Sequence, residues 1–472
     1  MSEDGRGVSN SAPVLVVSHD VVGARMAGPG IRYWELSRVL GKCLEVVLAA
    51  PQDTVFDPPE GVRPWQYTFG EWESLAPAVT EAKAILLSGD VLAWFPELED
   101  SQVPLIVDGY DPHTLETLAI FAGRPEQQRR HQERETILQR QCAVGDFFIC
   151  ASERQRDWWL GLLEATGRVN VRTYEDDASL RSLVDIVPYG LPSRPPRHTK
   201  QVLKGVESGI GLDDKVVLWG GGLWQWLDPL TAVRAMDLIQ EVRSDVRLVF
   251  PGTEHPSPAV PKMTMYSETI RLAKELGLDR TCVFFGDWVP YCDWPNYLLE
   301  SDIGLSLHFD TVESRLAYRS RVLDYIWAGL PMVVTRGDAI SEEIVRFRLG
   351  EVIHHRDEEA LATAILQLLD RVVSDDIVSC FQKARAEMTW DKAATPLAAF
   401  CRCPRRAPDK GFRAEHSFSF DASETQHEAE LQALRRAIAD QETEVDRLRE
   451  KVAGYERGRF IRFMRWLHGL LT

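Results

Sequence analysis

Hydrophobic residues fall in short unbroken runs along most of this chain, separated by stretches where they recur every three or four positions. The run APVLVVSHD, residues 12–20, has no polar alternation, which predicts a parallel strand covered on both faces. LEVVLAAP (44–51), AKAILLSG (82–89), VPLIVDGYDP (103–112), DFFICAS (146–152) and LVDIVPYGLP (183–192) read the same way. Between the first two lie Gly23, Gly28, Pro29 and Gly30, then IRYWELSRVLGK (31–42), a helix with Ile31, Trp34, Leu36 and Leu40 on its apolar side and Gly41 as its stop. RQRDWWLGLLEATG (154–167) is a second helix. Residues 192–206 are rich in proline and basic residues and read as a linker. A second alternation follows. Its strands are DKVVLWGGG, DVRLVFPG, TCVFFGDW, DIGLSLH and LPMVVT. Its helices are DPLTAVRAMDLIQEV, with Asp228 as N-cap and Pro229 in the first turn, YLLES, SRVLDYIWAG and ALATAILQLLDRVV. Strand and helix in alternation imply α/β domains with parallel sheets, one over 13–195 and one over 205–400, after a disordered start at 1–12.

The pattern changes beyond residue 400. Residues 404–424 are polar and irregular and read as a linker. Within 425–456, Leu431, Ile438, Val445 and Val452 occupy a positions of a heptad, and Leu434, Gln441, Leu448 and Tyr455 occupy d. Largely β-branched a positions favour a parallel two-stranded coiled coil, hence a homodimer through 431–455; a lone amphipathic helix packed on the body is the other reading. In 457–472, Phe460, Phe463, Met464, Leu467 and Leu471 share one helical face, with Arg457, Arg459, Arg462 and Arg465 around it. Such a basic amphipathic helix suits either an anionic membrane surface or a protein interface.

Composition narrows the function classes. The 472 residues carry a formal net charge of −17, which repels nucleic-acid backbones. The eight cysteines are scattered; Cys43, Cys142, Cys150, Cys282 and Cys292 lie in or beside apolar runs as expected for buried free thiols, and Cys401 and Cys403 form no zinc set. The N-terminus lacks the features of a signal peptide, and no apolar run approaches the length of a membrane span. A cytoplasmic protein, peripheral on the inner face of the membrane if the last helix binds lipid, is the expectation.

Ligands of open α/β sheets bind beyond the carboxyl ends of the strands, so the loops there hold the candidate chemistry. Gly220, Gly221 and Gly222 precede a capped helix and could cradle a phosphate, or simply make a tight turn. In ESRLAYRSRVLDYIWAGLPMVVT, Arg315, Arg319 and Arg321 crowd one helix start beside Glu313 and Asp324: guanidinium forks for a diphosphate, carboxylates for sugar hydroxyls. Asp108, Asp111 and His113 follow a strand of the first domain, and His19 and Asp20 end another. Trp224 and Trp226 could stack on a sugar or base, or pack between the domains. No Asp-x-Asp metal motif occurs, and neither glycine loop has dinucleotide-fingerprint spacing.

Residues 14 to about 400 resemble a family-4 retaining glycosyltransferase of the GT-B fold. VLDYIWAGLPMVVT is similar to the family's C-terminal signature, with Asp324 in place of the usual glutamate; MAGPGIRYWELSRVL resembles its first glycine loop and helix; VFFGDWVPYCDWPNYLLESDIGLSLH resembles its base-binding segment. The resemblance implies a GT-B architecture of two Rossmann-like domains facing a cleft, here with an added helical tail. It implies donor contacts at Gly28, Gly30, Arg32, Gly221, Gly222, Trp224, Arg315 and Arg321. Asp324 would hold the ribose, and Trp288 and Val289 would lie near the base. His113, Asp108, Asp111 and Arg319 would serve the reacting centre. Two departures stand out. Leu316 occupies the place of the first signature acid, with Glu313 nearby to take its role. The loop GGGLWQWLDPL also lacks the family's arginine and lysine, leaving Arg319, Arg321 and Arg32 to replace them.

The expected reaction is transfer of a sugar from a nucleotide sugar to a glycan or lipid-linked acceptor, retaining and without a metal or other cofactor, in cell-surface polysaccharide or glycoconjugate synthesis. The alternatives are a degenerate GT-B scaffold, which the absent basic pair favours, and a GT-B sugar-nucleotide epimerase, which would need no tail.

Overall fold

The computed structural model describes residues 12–52, 56–253, 260–371 and 375–410. The expected coiled coil and basic helix lie outside the described residues. Two wholly parallel sheets form the frame. The first lobe has seven strands in the order β3-β2-β1-β4-β5-β6-β7: β1 Val14–Val17, β2 Val46–Pro51, β3 Val62–Tyr67, β4 Ala84–Leu87, β5 Leu105–Asp108, β6 Phe147–Cys150 and β7 Val184–Ile186. The second has six in the order β10-β9-β8-β11-β12-β13: β8 Lys215–Trp219, β9 Val246–Phe250, β10 Val283–Phe285, β11 Ile303–Ser306, β12 Met332–Thr335 and β13 Gly350–Ile353. Both sheets are doubly wound, and strand order reverses between β1 and β4 and between β8 and β11. At those points a crevice opens beyond the carboxyl ends of the strands.

The central strands are buried at every position, as in VLVV, AILL, IGLS and MVVT, and apolar but for the Ser306 and Thr335 that end the last two. Asp228 caps its helix as expected, accepting from Thr231 N at 3.1 Å. Gly329 ends the helix Ser320–Ala328 at φ 74°, a left-handed position that suits glycine. The helix expected over 31–42 instead runs Gly28–Leu40, with Pro29 in its first turn. Gly41 does follow its end, but at φ −61°. Glycine is needed there because a Cβ would stand 2.9 Å from Val62 of β3. All eight cysteines are free thiols; Cys142, Cys150 and Cys282 are buried as expected, whereas Cys43 and Cys292 are exposed, because both sit in turns rather than in the apolar runs beside them.

The C-terminal helices return to the first lobe. Asp375–Glu387 packs on Ser320–Ala328, and Trp390–Ala393 packs on Gly28–Leu40. Backbone hydrogen bonds join Leu191 N to Met388 O and Trp390 N to Leu191 O. Residues 404–410, at the start of the stretch read as a linker, are held to the first lobe: Arg168 donates to both carboxylate oxygens of Asp409 (2.7 and 3.2 Å), with both side chains fully buried.

Candidate functional site

Arg32 is one of the candidates for the missing positive charge. It projects from the first turns of Gly28–Leu40 into the protein. Its Nε and Nη2 donate to Asp108 at 2.7 and 3.0 Å, and its Nη groups donate to the carbonyls of Pro188 and Val187. The guanidinium also lies 4.6 Å from the Tyr110 ring centroid. Both partners are almost wholly buried. Arg32 and Asp108 therefore clasp a helix, the end of β5 and the end of β7, with each Arg32 nitrogen donating into the fold, while Asp108 also lines the small cavity of Asp111 and His113. Gly30 likewise serves packing: a Cβ there would come within 2.1 Å of the Val21 carbonyl. Gly28 faces open space.

Asp111 and His113 lead from β5 into the helix His113–Ile120. His113 Nδ1 lies 3.5 Å from Glu116, one turn along. Its ring meets that of His19 edge-on at 6.2 Å, and His19 Nδ1 hydrogen-bonds the Ser88 hydroxyl at 2.7 Å. Burial, the largest influence, opposes charge on His113. The Glu116 hydrogen bond and the Asp111, Glu116 and Asp90 carboxylates outweigh it and raise the imidazolium to about 9. Burial also raises Asp111, to about 7, reinforced by Glu116. Burial lowers His19 despite Asp90 and Asp20 nearby. The two histidines, in edge-on ring contact, are thus pushed in opposite directions: charge is favoured on His113 and disfavoured on His19.

In the second lobe the signature segment splits into two short helices, Val312–Leu316 and Ser320–Ala328. Glu313 and Arg319 form a buried two-bond pair across the break, at 2.9 and 2.8 Å. Arg319 is therefore held by a carboxylate of its own segment. Arg321 is not. Its Nη2 donates to Gly222 O at 3.3 Å, its guanidinium stands 5.3 Å from the Trp219 ring centroid, and its buried Nη1 has no hydrogen-bond partner among the described residues. Burial, together with Arg319 beside it, lowers Arg321 to about 10. The glycine turn is shaped around this group. Gly221 sits at φ 81°, and Gly220 N donates to the Tyr325 hydroxyl at 2.7 Å. Asp324, one turn after Arg321, accepts from Trp294 Nε1 at 2.9 Å. Burial raises its carboxyl to about 7 against the pull of Trp294 and Arg321. Trp288, half-buried, lies over Gly252, with Val289 beside it.

Trp224 and Trp226 stack on each other (5.2 Å, 7° between planes). Trp226 is core, while Trp224 is partly buried against the same second-lobe core, as are Ala119 and Ile120 of the first lobe. Arg315 is exposed and lines a different, open groove with Arg336 and Leu316. Sequence reading passed over the residues that join the lobes. Gln155 Nε2 donates to Leu316 O at 2.7 Å, and the Tyr110 hydroxyl donates to Tyr318 O at 2.8 Å. Trp294 was also missed, although it lies in a quoted motif. Nothing in the local pattern marks a lone Gln or Trp as facing a partner distant in sequence.

Residues 214–371 match the family model described as glycosyl transferases group 1. No curated protein matches the chain. Among solved structures, sucrose-phosphate synthase from Thermosynechococcus elongatus is 15% identical with a TM-score of 0.56, covering 83% of this chain and 98% of its own. Anabaena HepE in complex with UDP and glucose is 15% identical with a TM-score of 0.55, covering 83% and 100%. The E. coli trehalose-6-phosphate protein bound with UDP-2-fluoro glucose is 12% identical with a TM-score of 0.57, covering 83% and 100%. The two sheets are those of the GT-B fold.

Proposed function

We propose that this chain, a group 1 glycosyltransferase of the GT-B fold, moves a hexosyl group from a nucleoside diphosphate sugar to a glycan or lipid-linked acceptor. UDP-sugars are the first donors to test, since HepE and the E. coli protein hold UDP or a UDP-sugar. The observation that carries the reading is Arg321, a half-buried guanidinium against the Gly220–Gly222 turn whose buried Nη1 has no hydrogen-bond partner among the described residues. A desolvated cation beside open backbone suits an anion with several oxygens.

In the proposed reaction the bond from the sugar C1 to the diphosphate oxygen breaks. Negative charge develops on that oxygen, where Arg321, the backbone of Gly221 and Gly222 and the N-terminus of Ser320–Ala328 stabilise it without a metal. Asp324 accepts the ribose hydroxyls, and Trp288 and Val289 border the base. His113, cationic at neutral pH, donates to a sugar hydroxyl, with Asp111 beside it. The acceptor oxygen bonds to C1 on the face the phosphate leaves. Its proton passes to the departing phosphate, so configuration is retained. Glu313 and Arg319 position the segment, and Arg32 and Asp108 position the first lobe.

Thermal stability with a panel of nucleotide sugars tests the reading. A donor at about 100 times its dissociation constant stabilises by roughly 2.7 kcal/mol. Arg321→Ala and Asp324→Ala are expected to abolish the shift; no shift with any donor in a folded wild-type sample refutes the proposal. We further propose that 431–455 dimerises the chain and that 457–472 brings it to the cytoplasmic face of a membrane carrying the acceptor. Truncation after residue 410 then leaves donor hydrolysis intact and lowers activity on membrane-borne acceptor. Equal activity of both forms on vesicles excludes the anchoring role.

A further inference from the structure

A second cavity lies between the lobes, an open groove of about 700 Å³. Its first-lobe wall comes from the helix Glu153–Ala165, which presents Arg154, Asp157 and Trp158 at one-turn spacing. Its second-lobe wall comes from the helix Val312–Leu316, with Arg315 and Leu316, and from the loops after β12 and β13, with Arg336, His354 and His355. The charges are uneven. Arg154 is engaged by Glu342 and by Gly337 O at 2.5 Å. Arg315 and Arg336 have no carboxylate partner among the described residues; Arg336 has only His354 Nε2, at 3.2 Å. The two aspartates of the groove, Asp157 and Asp310, bond to neither. In a chain of net charge −17, two guanidiniums in one cavity with no carboxylate partner among the described residues suit an anion.

The groove also adjoins the reacting centre. Trp158 lines both this groove and the small cavity of Asp111 and His113. Leu316, at the place of the first signature acid, forms part of the same wall and is fixed there by Gln155. An occupant therefore meets Trp158 and Leu316 as well as the two arginines.

We infer that this groove is the acceptor subsite and that it takes a phosphate-bearing acceptor. The phosphate bridges Arg315 and Arg336, and the sugar or apolar stem rests on Trp158 and Leu316. Stacking on the indole suits either stem, and guanidinium forks suit phosphate oxygens. This inference rests on the transferase reading.

Titration calorimetry of the full chain with inorganic phosphate tests it. Saturable binding is expected, weakened at least tenfold in the Arg315→Gln/Arg336→Gln double variant and unchanged in Arg321→Gln. Both arginines are exposed, so the double variant keeps its fold. Absence of saturable binding, or affinity that follows Arg321→Gln, overturns the inference. Competition by glucose 6-phosphate and by a polyprenyl phosphate in detergent micelles separates a soluble from a lipid-borne source. Displacement by either supports the acceptor role, and displacement by neither overturns it. A thermal shift of the double variant with UDP-glucose reads the donor site separately: a donor shift without a phosphate site refutes this inference alone, whereas no shift of the wild type with any donor refutes the transferase reading.

Discussion

The mouths of the two lobes hold similar residues in opposite states. In the first lobe Arg32 is buried against Asp108 and two carbonyls, and every group faces a partner from the fold itself. In the second lobe Arg321 sits against a glycine turn with an N–H unmatched, and Asp324 has one indole donor and a raised carboxyl. Arg319 and Arg321, two positions apart, repeat the contrast within one segment: the first is clasped by Glu313 through both Nη groups and leaves only its Nε without a partner among the described residues, whereas the second has no carboxylate partner there. Residue type therefore says little about role. What separates a structural arginine from a ligand arginine is whether the fold already supplies its acceptors.

The largest expected effect comes from breaking the clasp in the first lobe. Arg32→Ala leaves the Asp108 carboxylate buried and unpaired, which costs about 3–5 kcal/mol of stability; a denaturant titration measures it. Arg321→Ala should leave that midpoint nearly unchanged while turnover falls roughly 100- to 1,000-fold, the usual loss for a group that meets developing charge. Equal destabilisation by the two substitutions would erase the contrast.

The two glycines of the first-lobe loop give a smaller test. Gly30→Ala drives a Cβ into the Val21 carbonyl, and cramming of this kind costs about 1–3 kcal/mol. Gly28→Ala meets open space and should stay within about 0.5 kcal/mol of wild type. A reduced donor affinity in Gly28→Ala at full stability would mean that the donor approaches this backbone closely.

The smallest effect is a pH dependence. Asp324 accepts hydroxyls only when ionised, and burial holds its carboxyl at about 7. Donor affinity should therefore strengthen as pH rises, by roughly tenfold per unit below about 7, and level off above. Asp111 titrates in the same range. The Asp324→Asn variant tells them apart: its affinity should be weaker and flat with pH. A slope that persists in Asp324→Asn assigns the titration to another group.

Legibility in the sequence followed burial. Strands covered on both faces were plain from their apolar runs. The edge strands β3, VRPWQY, and β13, GEVI, escaped notice because each is covered on one side and carries polar residues on the other. Within the candidate site, the spacing of Arg321 and Asp324 was readable from the signature helix, and so was the absence of a basic pair after β8. Asp108 was nominated for chemistry and instead holds Arg32, because whether a carboxylate at a strand end meets solvent or an arginine 76 positions away is decided by packing.

By itself the sequence determined the alternation of strand and helix, the two doubly wound sheets and the loops that crown them, since these follow from local runs of apolar residues and from caps and glycines nearby in the chain. Only the tertiary structure decided which arginines were already engaged, that Gln155 and Tyr110 tie the lobes across the cleft, and that Arg315 and Arg336 share a groove. Hydrogen bonds between residues far apart in sequence leave no periodic trace, and whether a charge is free depends on every group the fold brings near it.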